Sequence, residues 1–200
     1  MASPFLYFAN DRLSMAELSA ARLDGDVVEL GEAYIPADAV ETRGLRAGSL
    51  VGILGDTLAA THLSAAWIHG ALPDPPARHT VQRAVHHRLH WTPDRRLVYR
   101  DLAVDPADLI RVGGVHVTNA TRTLADLSRV DDGAHLRAAQ LLAGTDPELA
   151  GLAIAWLEEH RQLPHRSAGI AVLRRCAEPE LPKTELAGPE LADSQEDVTR

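Results

Sequence analysis

The stretch HVTNATRTLADLSR, residues 116–129, predicts a strand that turns directly into a helix. Val115 and Val117 alternate as in a buried strand, and the two glycines before them supply a tight turn. Thr118 or Asn119 can cap the helix by accepting a hydrogen bond from a free N–H of its first turn. We expect the rest of the chain to pack around this segment.

The predicted helix has an apolar side and a charged side. Ala120, Leu124 and Leu127 are spaced at i, i+4 and i+7 and form one apolar stripe. Arg122 and Asp126 lie on the other side, four residues apart, and can form an ion pair. An exposed pair of this kind contributes only about 0.3–0.5 kcal/mol. If the pair is buried, its loss costs several kcal/mol because one charge is left alone.

Length and composition indicate an ordinary intracellular protein. The 200 residues allow one domain of usual size or two small ones, and the scarcity of aromatic residues predicts an aliphatic, alanine-rich core. No apolar run is long enough to cross a bilayer, and the N-terminal residues do not resemble a secretory signal. Cys176 is the only cysteine, which excludes an internal disulfide. We therefore expect a cytoplasmic location and no membrane partner.

The charge is unevenly distributed along the chain. The formal net charge is −8, and residues 1–60 contribute −5 of it with nine acids against four arginines. Because DNA affinity depends mainly on neutralising phosphates, this balance argues against a simple high-affinity DNA-binding protein. The exception is a basic island, which we interpret as an ordinary solvated surface, with contact to phosphate or an acidic partner as the functional alternative. Its arginines are Arg78, Arg83, Arg88, Arg95, Arg96 and Arg100.

The N-terminal part predicts a helix followed by a β-hairpin. Ser14 and Glu17 have the spacing of a capping box at the start of a helix over residues 14–23. Residues 26–30 and 33–36 read as two strands joined by a Gly-Glu turn. A winged helix-turn-helix ends in this order, with a recognition helix and then a wing, which makes Ser19 and Arg22 candidate DNA contacts. The alternative is a leftover module without DNA contact or a module that faces a protein, because the hairpin is acidic.

Further helices and strands are predicted along the rest of the chain. Two helices, two strands and a helical turn precede the central segment, three helices follow it, and an acidic, proline-containing tail is expected to be disordered. The ranges are 45–54 and 56–69 for the first helices, 79–85 and 96–102 for the strands, 107–110 for the turn, 132–143, 147–161 and 165–176 for the last helices, and 177–200 for the tail.

Histidine spacing argues against a metal site. His62 and His69 are separated by about 10 Å along a helix, at roughly 1.5 Å per residue. In a strand, His86 and His90 are separated by about 13 Å, at roughly 3.3 Å per residue. Neither pair can chelate one ion, so we expect hydrogen-bonded interior or boundary histidines at the first two positions. No metal and no cofactor are predicted.

The chain resembles the AbiEi family of antitoxin-like regulators, of the actinobacterial type. The similarity covers roughly residues 14–130 and includes HLSAAWIHG at 62–70, the two strands and the central segment. Its most specific part is the pattern VT–x3–RT–x2–DL. In this chain the pattern falls on Val117, Thr118, Arg122, Thr123, Asp126 and Leu127.

This resemblance implies an antitoxin-like transcriptional regulator without enzymatic activity. Proteins of the family pair a winged-helix DNA-binding domain with an α/β antitoxin domain, repress their own operon and counter a nucleotidyltransferase-like toxin. A cognate toxin and operator DNA are therefore the implied partners. The expected α+β architecture is a partial winged-helix unit over 1–40, an antitoxin-like α/β core over 45–130, C-terminal helices over 131–176 and the acidic tail. The winged helix is partial because little of it precedes Ser14 here.

Two other functions are compatible with the residues. The chain can be an orphan protein-binding module that does not bind DNA. It can also be a metal-dependent nuclease or nucleotidyltransferase-like enzyme that uses Asp126, although neither a P-loop nor a GxSxG motif is present. For Thr118, Arg122, Thr123 and Asp126 we favour a structural brace over a ligand or toxin contact.

Overall fold

The computed structural model describes residues 3–90 and 94–178 and has the α+β class expected from the sequence. Within these ranges the helices are α1 (Met15–Asp24), α2 (Arg43–Ser49), α3 (Val51–Leu54), α4 (His62–Ile68), α5 (Ala120–Ser128), α6 (Gly133–Ala143), α7 (Leu149–Glu159) and α8 (Arg166–Ala177). The strands are β1 (Val27–Leu30), β2 (Ala33–Pro36), β3 (Leu58–Ala60), β4 (His79–Arg83), β5 (Leu97–Ala103), β6 (Leu109–Val112) and β7 (Val115–Thr118). A 3-10 turn at Pro106–Asp108 precedes β6.

The strands form a two-stranded hairpin and a mixed five-stranded sheet. In the larger sheet the order is β5–β4–β3–β7–β6. The β4–β5 and β3–β7 pairs are parallel, whereas β3–β4 and β6–β7 are antiparallel. Asn119 alone separates β7 from α5, and its side chain accepts a hydrogen bond from the N–H of Arg122 at 2.8 Å. The predicted strand-to-helix segment is therefore confirmed.

The predicted helix over residues 56–69 is wrong in its first part. Leu58–Ala60 forms the central strand β3, and α4 begins only at His62. Both faces of β3 are buried, so its sequence does not alternate and cannot be told from a buried helix by periodicity. His62 adopts a φ of 51°, which turns the chain sharply between the strand and the helix.

The helical turn predicted over 107–110 is wrong in its second part, because a β-hairpin of β6 and β7 begins there. Strand β6 begins at Leu109 and pairs with β7. Val112 faces Val115 across a two-residue Gly-Gly turn in which both residues have positive φ. A Cβ atom on Gly113 would contact the carbonyl oxygen of Gly44 and lie 2.5 Å from the backbone nitrogen of Gly48. This position therefore requires glycine.

The interior consists of two hydrophobic clusters. In the first, Leu30, Ala33 and Ile35 of the small hairpin pack with Leu50 and Trp67, so the hairpin and the main sheet share one core. In the second, α5 packs against the three helices that follow it. That cluster includes Leu124, Leu127, Leu142, Leu157 and Leu173. The central segment thus lies where the sheet meets the C-terminal helices.

The first helix, the small hairpin and the last three helices agree with the sequence predictions. Ser14 and Glu17 form the predicted capping box of α1, and β1 and β2 form the predicted hairpin. The last three predicted helices are confirmed to within two residues at each end. From position 179 onward, the predicted acidic tail lies outside the described residues. None of the helices in the described ranges is long and apolar enough to cross a membrane.

Candidate functional site

A buried charge network surrounds Arg122. Its Nε donates to Oδ2 of Asp126 at 2.9 Å, and its Nη1 donates to Oδ2 of Asp108 at 2.8 Å. Arg129 donates from Nη2 to the other oxygen of Asp126 at 2.5 Å. Trp156 donates from its indole N–H to Oδ1 of Asp108 at 2.9 Å, and its ring lies under the Arg122 guanidinium at 4.7 Å. The network joins α5 to the turn before β6 and to α7.

Within the network, Arg122 and Asp126 each favour the charged form of the other. Burial raises the pKa of Asp126, but the neighbouring Arg122 and Arg129 outweigh this effect and hold it below its ordinary value. Burial lowers the pKa of Arg122, and Asp126 and Asp108 reverse that change and raise it above its ordinary value. Both oxygens of the Asp126 carboxylate are already engaged by guanidinium groups. This arrangement opposes direct coordination of a metal ion by Asp126.

The two threonines of the central segment contact each other. Thr118 and Thr123 are fully buried, and their hydroxyl oxygens are 2.7 Å apart. The Thr123 hydroxyl can also donate to the carbonyl oxygen of Thr118 at 3.1 Å. These bonds tie the end of β7 to the first turn of α5. Thr118, Arg122, Thr123 and Asp126 therefore form one local framework.

Sequence reasoning missed three members of the network. Arg129 follows Asp126 by three residues at the C-cap of α5, a spacing that could have identified it. Asp108 and Trp156 come from segments far away in the chain, 14 residues before and 34 residues after Arg122. No local pattern connects them, because only the folded sheet and α7 bring them together.

A small pocket lies beside this network. It has a volume of about 300 Å³ and is lined in part by His62, Arg100, Asp126, Arg129 and His165. His62 and His165 are two of the three non-glycine residues with positive φ in the described chain. Nη1 of Arg100 lies 3.0 Å from Nε2 of His62, which places the imidazole hydrogen on Nδ1, 3.0 Å from the Thr61 hydroxyl.

The chemistry of His62 is that of a neutral interior histidine. Burial lowers its pKa to about 4, so the ring is uncharged near neutral pH. Its Nε2 lone pair is occupied by Arg100, which leaves no free basic nitrogen for proton abstraction. His69 is partly buried at the boundary of the core, with Nε2 2.8 Å from the carbonyl oxygen of Thr118. Among residues 3–90 and 94–178, no group of three or more His, Cys, Asp or Glu side chains is arranged to hold a metal ion.

The arginines of the basic island do not form one free surface. Arg83 is buried and donates from Nη1 to the carbonyl oxygens of residues 85, 86 and 87. Arg96 bonds to Asp94 and, at 2.9 Å, to Glu32 of the small hairpin. The hydrogen bonds from the side chain and backbone of Arg96 lower the pKa of Asp94 to about 2. Two of the six predicted arginines are therefore used within the fold.

The remaining island arginines are partly committed as well. Arg78 donates to the carbonyl oxygens of Arg95 and Leu97, and Arg100 contacts His62. Arg88 and Arg95 are exposed, Arg88 lying 4.0 Å from a carboxylate oxygen of Asp101. The island thus offers a weaker positive surface than its sequence implies.

The candidate DNA contacts lie on α1. The Ser19 hydroxyl donates back to the carbonyl oxygen of Met15 at 2.8 Å, and Nε of Arg22 lies 3.2 Å from Glu29 of the hairpin. Both residues are exposed. The charge of Arg22 is partly neutralised by the adjacent strand, which reduces what it can offer to a phosphate group.

Comparisons with known proteins do not assign a family. No family model matches the chain, and no curated protein matches it. The resemblance to the AbiEi family therefore stays a prediction that depends on the motif residues themselves.

Proposed function

We propose that the chain is an antitoxin-like regulator of the AbiEi type that acts by binding a partner protein. The observation that carries the proposal is the Arg122 network. The four polar residues of the VT–x3–RT–x2–DL pattern belong to the framework that joins the sheet to the C-terminal helices. Residues that hold a domain together are expected in every protein with that domain, whichever partner its surface binds.

Binding rather than catalysis is supported by the state of the polar groups in that framework. Arg122 pairs with Asp126, Thr123 bonds to Thr118, and each of these side chains is at least largely buried. A buried ion pair of this type holds elements in one arrangement, and breaking it costs several kcal/mol. Recognition is then left to the surface, where side chains can change without loss of the fold.

The experiment is a direct binding and neutralisation assay. The full chain is purified and mixed with the product of the gene adjoining its own, and the mixture is separated by size-exclusion chromatography. We expect co-elution, and we expect co-expression to relieve growth inhibition by that product. Separate elution together with unrelieved toxicity, or a neighbouring product that is not toxic and does not bind, contradicts the proposal.

Operator DNA is a second candidate ligand, favoured by one specific observation. Helix α1 is exposed and followed directly by an antiparallel hairpin, which is the order of a recognition helix and a wing. Fluorescence anisotropy with the chain's own upstream DNA tests this candidate. Affinity should fall steeply between about 50 and 200 mM salt and weaken in Arg22→Ala, because phosphate contacts release counterions. Absence of binding at the lower salt concentration removes the candidate.

A further inference from the structure

Helix α1 presents a face that the rest of the described chain leaves uncovered. Of its ten residues only Leu18 is buried. With about 3.6 residues per turn, Met15, Ser19, Arg22 and Leu23 lie on one side of the helix, and all four are exposed. Leu23 is the most open, at 84% of its full accessible surface. A helix that is attached by one buried side chain keeps most of its surface available for contact.

The hairpin continues this face. Val28 of β1 is exposed, and a shallow depression between α1 and β1 is lined by Leu23, Val27 and Val28 together with Arg22 and Glu29. We call the exposed residues Met15, Ser19, Arg22, Leu23, Val28 and Glu29 the α1–hairpin surface. Leu23 and Val28 are both exposed and both line this depression. Apolar side chains that cluster on a surface mark interaction sites.

The charge around the α1–hairpin surface is negative. Residues 1–40 contain seven acids and two arginines, a net of −5. Glu17, Asp24 and Asp26 are exposed there, and Glu29 pairs with Arg22. A polyanion such as DNA is repelled by this charge. A second copy of the same surface is repelled as well, because like charges across an interface oppose association.

We propose that the α1–hairpin surface binds a protein that presents a basic surface with an apolar centre. This inference rests on the proposed partner-binding function and adds where the partner binds and what charge it carries. Met15, Leu23 and Val28 bury against the apolar centre, as the core of an interface does. Asp24 and Asp26 attract the surrounding basic side chains, which accelerates association and makes it depend on salt.

The proposal is tested with the full-length chain and three defined probes. These are an amphipathic Leu/Lys helical peptide, a matched Leu/Glu peptide and a short DNA duplex of mixed sequence. In NMR titrations of the 15N-labelled protein, we expect the Leu/Lys peptide to shift resonances of the α1–hairpin surface. The double variant Leu23→Ser/Val28→Ser should bind this peptide about tenfold more weakly, as for central interface residues.

Matched variants distinguish binding at the α1–hairpin surface from non-specific hydrophobic binding and from loss of the fold. Leu141→Ser/Leu152→Ser removes two exposed leucines from α6 and α7 and should leave the affinity unchanged. Asp24→Lys/Asp26→Lys reverses charge without removing apolar area and should abolish binding of the Leu/Lys peptide. All three double variants alter exposed side chains, so their thermal melting should match that of the wild-type protein.

Several results overturn the proposal. One is that the Leu/Glu peptide binds as tightly as the Leu/Lys peptide. Another is that Leu141→Ser/Leu152→Ser weakens binding as much as Leu23→Ser/Val28→Ser does. A third is that the DNA duplex shifts the same resonances more strongly than the Leu/Lys peptide. A concentration-dependent dimer that Leu23→Ser/Val28→Ser dissolves identifies a second copy as the occupant instead. Binding of the adjoining gene's product to the wild-type chain and to Leu23→Ser/Val28→Ser tests the site separately from the proposed function. If that protein binds the wild-type chain and Leu23→Ser/Val28→Ser equally, the function stands and the site is wrong.

Discussion

Two arginine–carboxylate pairs in this protein have the same chemistry and opposite surroundings. Arg122 and Asp126 are 2.9 Å apart on α5, with side chains 12% and 0% exposed. Arg22 and Glu29 are 3.2 Å apart between α1 and β1, with side chains 53% and 57% exposed. Loss of one partner from the Arg122–Asp126 pair leaves the other charge buried and without a counter-charge. Loss of one partner from the Arg22–Glu29 pair leaves a charge that water solvates. Burial therefore decides which arginine serves the fold and which is available to a partner.

The surroundings of each pair extend this contrast. Near Arg122, polar groups have partners inside the protein, including Thr118, Thr123 and His69. Around Arg22 the neighbours are exposed acids and apolar side chains. The first region is expected to tolerate few substitutions and the second many. Substitutions near Arg122 should therefore change stability more than substitutions near Arg22 do.

Arg122→Ala is expected to destabilise the protein by about 3–5 kcal/mol, because it leaves Asp108 and Asp126 short of a buried counter-charge. Urea denaturation followed by circular dichroism at neutral pH measures the change in the free energy of unfolding. Arg137→Ala on α6 is the matched control, since Arg137 is exposed and its loss should change stability by less than about 0.5 kcal/mol. An Arg122→Ala protein with normal stability that no longer binds its partner would make Arg122 a contact residue.

His69→Gln is expected to flatten the dependence of stability on pH. Burial lowers the pKa of His69 to about 4, whereas an unfolded histidine titrates near 6.5. The unfolded chain therefore binds more protons between these values. The contribution of neutral His69 to the free energy of unfolding is fully present above pH 6.5. It is lost as the pH decreases toward 4, and the loss amounts to up to about 3 kcal/mol.

Glutamine suits this test because its amide N–H can still donate to the carbonyl oxygen of Thr118. Urea denaturation at several pH values from 7 to about 4.5 gives the slope. His87→Gln, at an exposed position, should keep the wild-type slope. His62 contributes in the same direction, so some slope should remain in His69→Gln. A wild-type protein whose stability does not change over this range contradicts the prediction.

Thr123→Val is expected to cost about 1–2 kcal/mol. The substitution keeps the shape of the side chain, but it removes the hydroxyl 2.7 Å from that of buried Thr118, which then lacks this partner. Thr121→Val on the same helix is the control, because Thr121 is only half-buried and should change stability by less than about 0.5 kcal/mol. Thermal melting of both variants gives the comparison. Equal effects would show that the hydroxyl pair does not stabilise the strand-to-helix segment.

The fold was predictable from sequence wherever the signals are local. The capping box at Ser14 and Glu17, the two-residue hairpin turn and the spacing within α5 each act over a few residues. Strand β3 was missed because its three residues are defined by burial between β4 and β7, which periodicity does not report. Strand β6 was missed because it is specified by pairing with β7 across the glycine turn.

The candidate site was predictable only in part, for the same reason. Arg122 and Asp126 lie four residues apart, so their contact follows from helix geometry. Asp108 and Trp156 join them only when the sheet and α7 are in place. The basic island shows the opposite failure. Its arginines are close in sequence, yet backbone carbonyls engage Arg83 and acids engage Arg96, which a charge count cannot reveal.

Arg22→Ala is expected to have the smallest effect on stability, less than about 0.5 kcal/mol, because the pair with Glu29 is exposed and screened by salt. A double-mutant cycle with Glu29→Ala measures the coupling directly, and denaturation at low and high salt should give nearly the same value. A coupling above about 2 kcal/mol would place this pair with the buried one and remove the contrast between the two regions.

The same variant separates the two ligands considered for α1. Removing Arg22 makes the α1–hairpin surface more negative, since Glu29 loses its counter-charge. Binding of the basic Leu/Lys peptide should therefore be unchanged or tighter, while any affinity for DNA should fall. If Arg22→Ala weakens both ligands alike, the arginine acts through the shape of α1 rather than through its charge. Loss of peptide binding with normal DNA affinity would reverse the assignment of this surface.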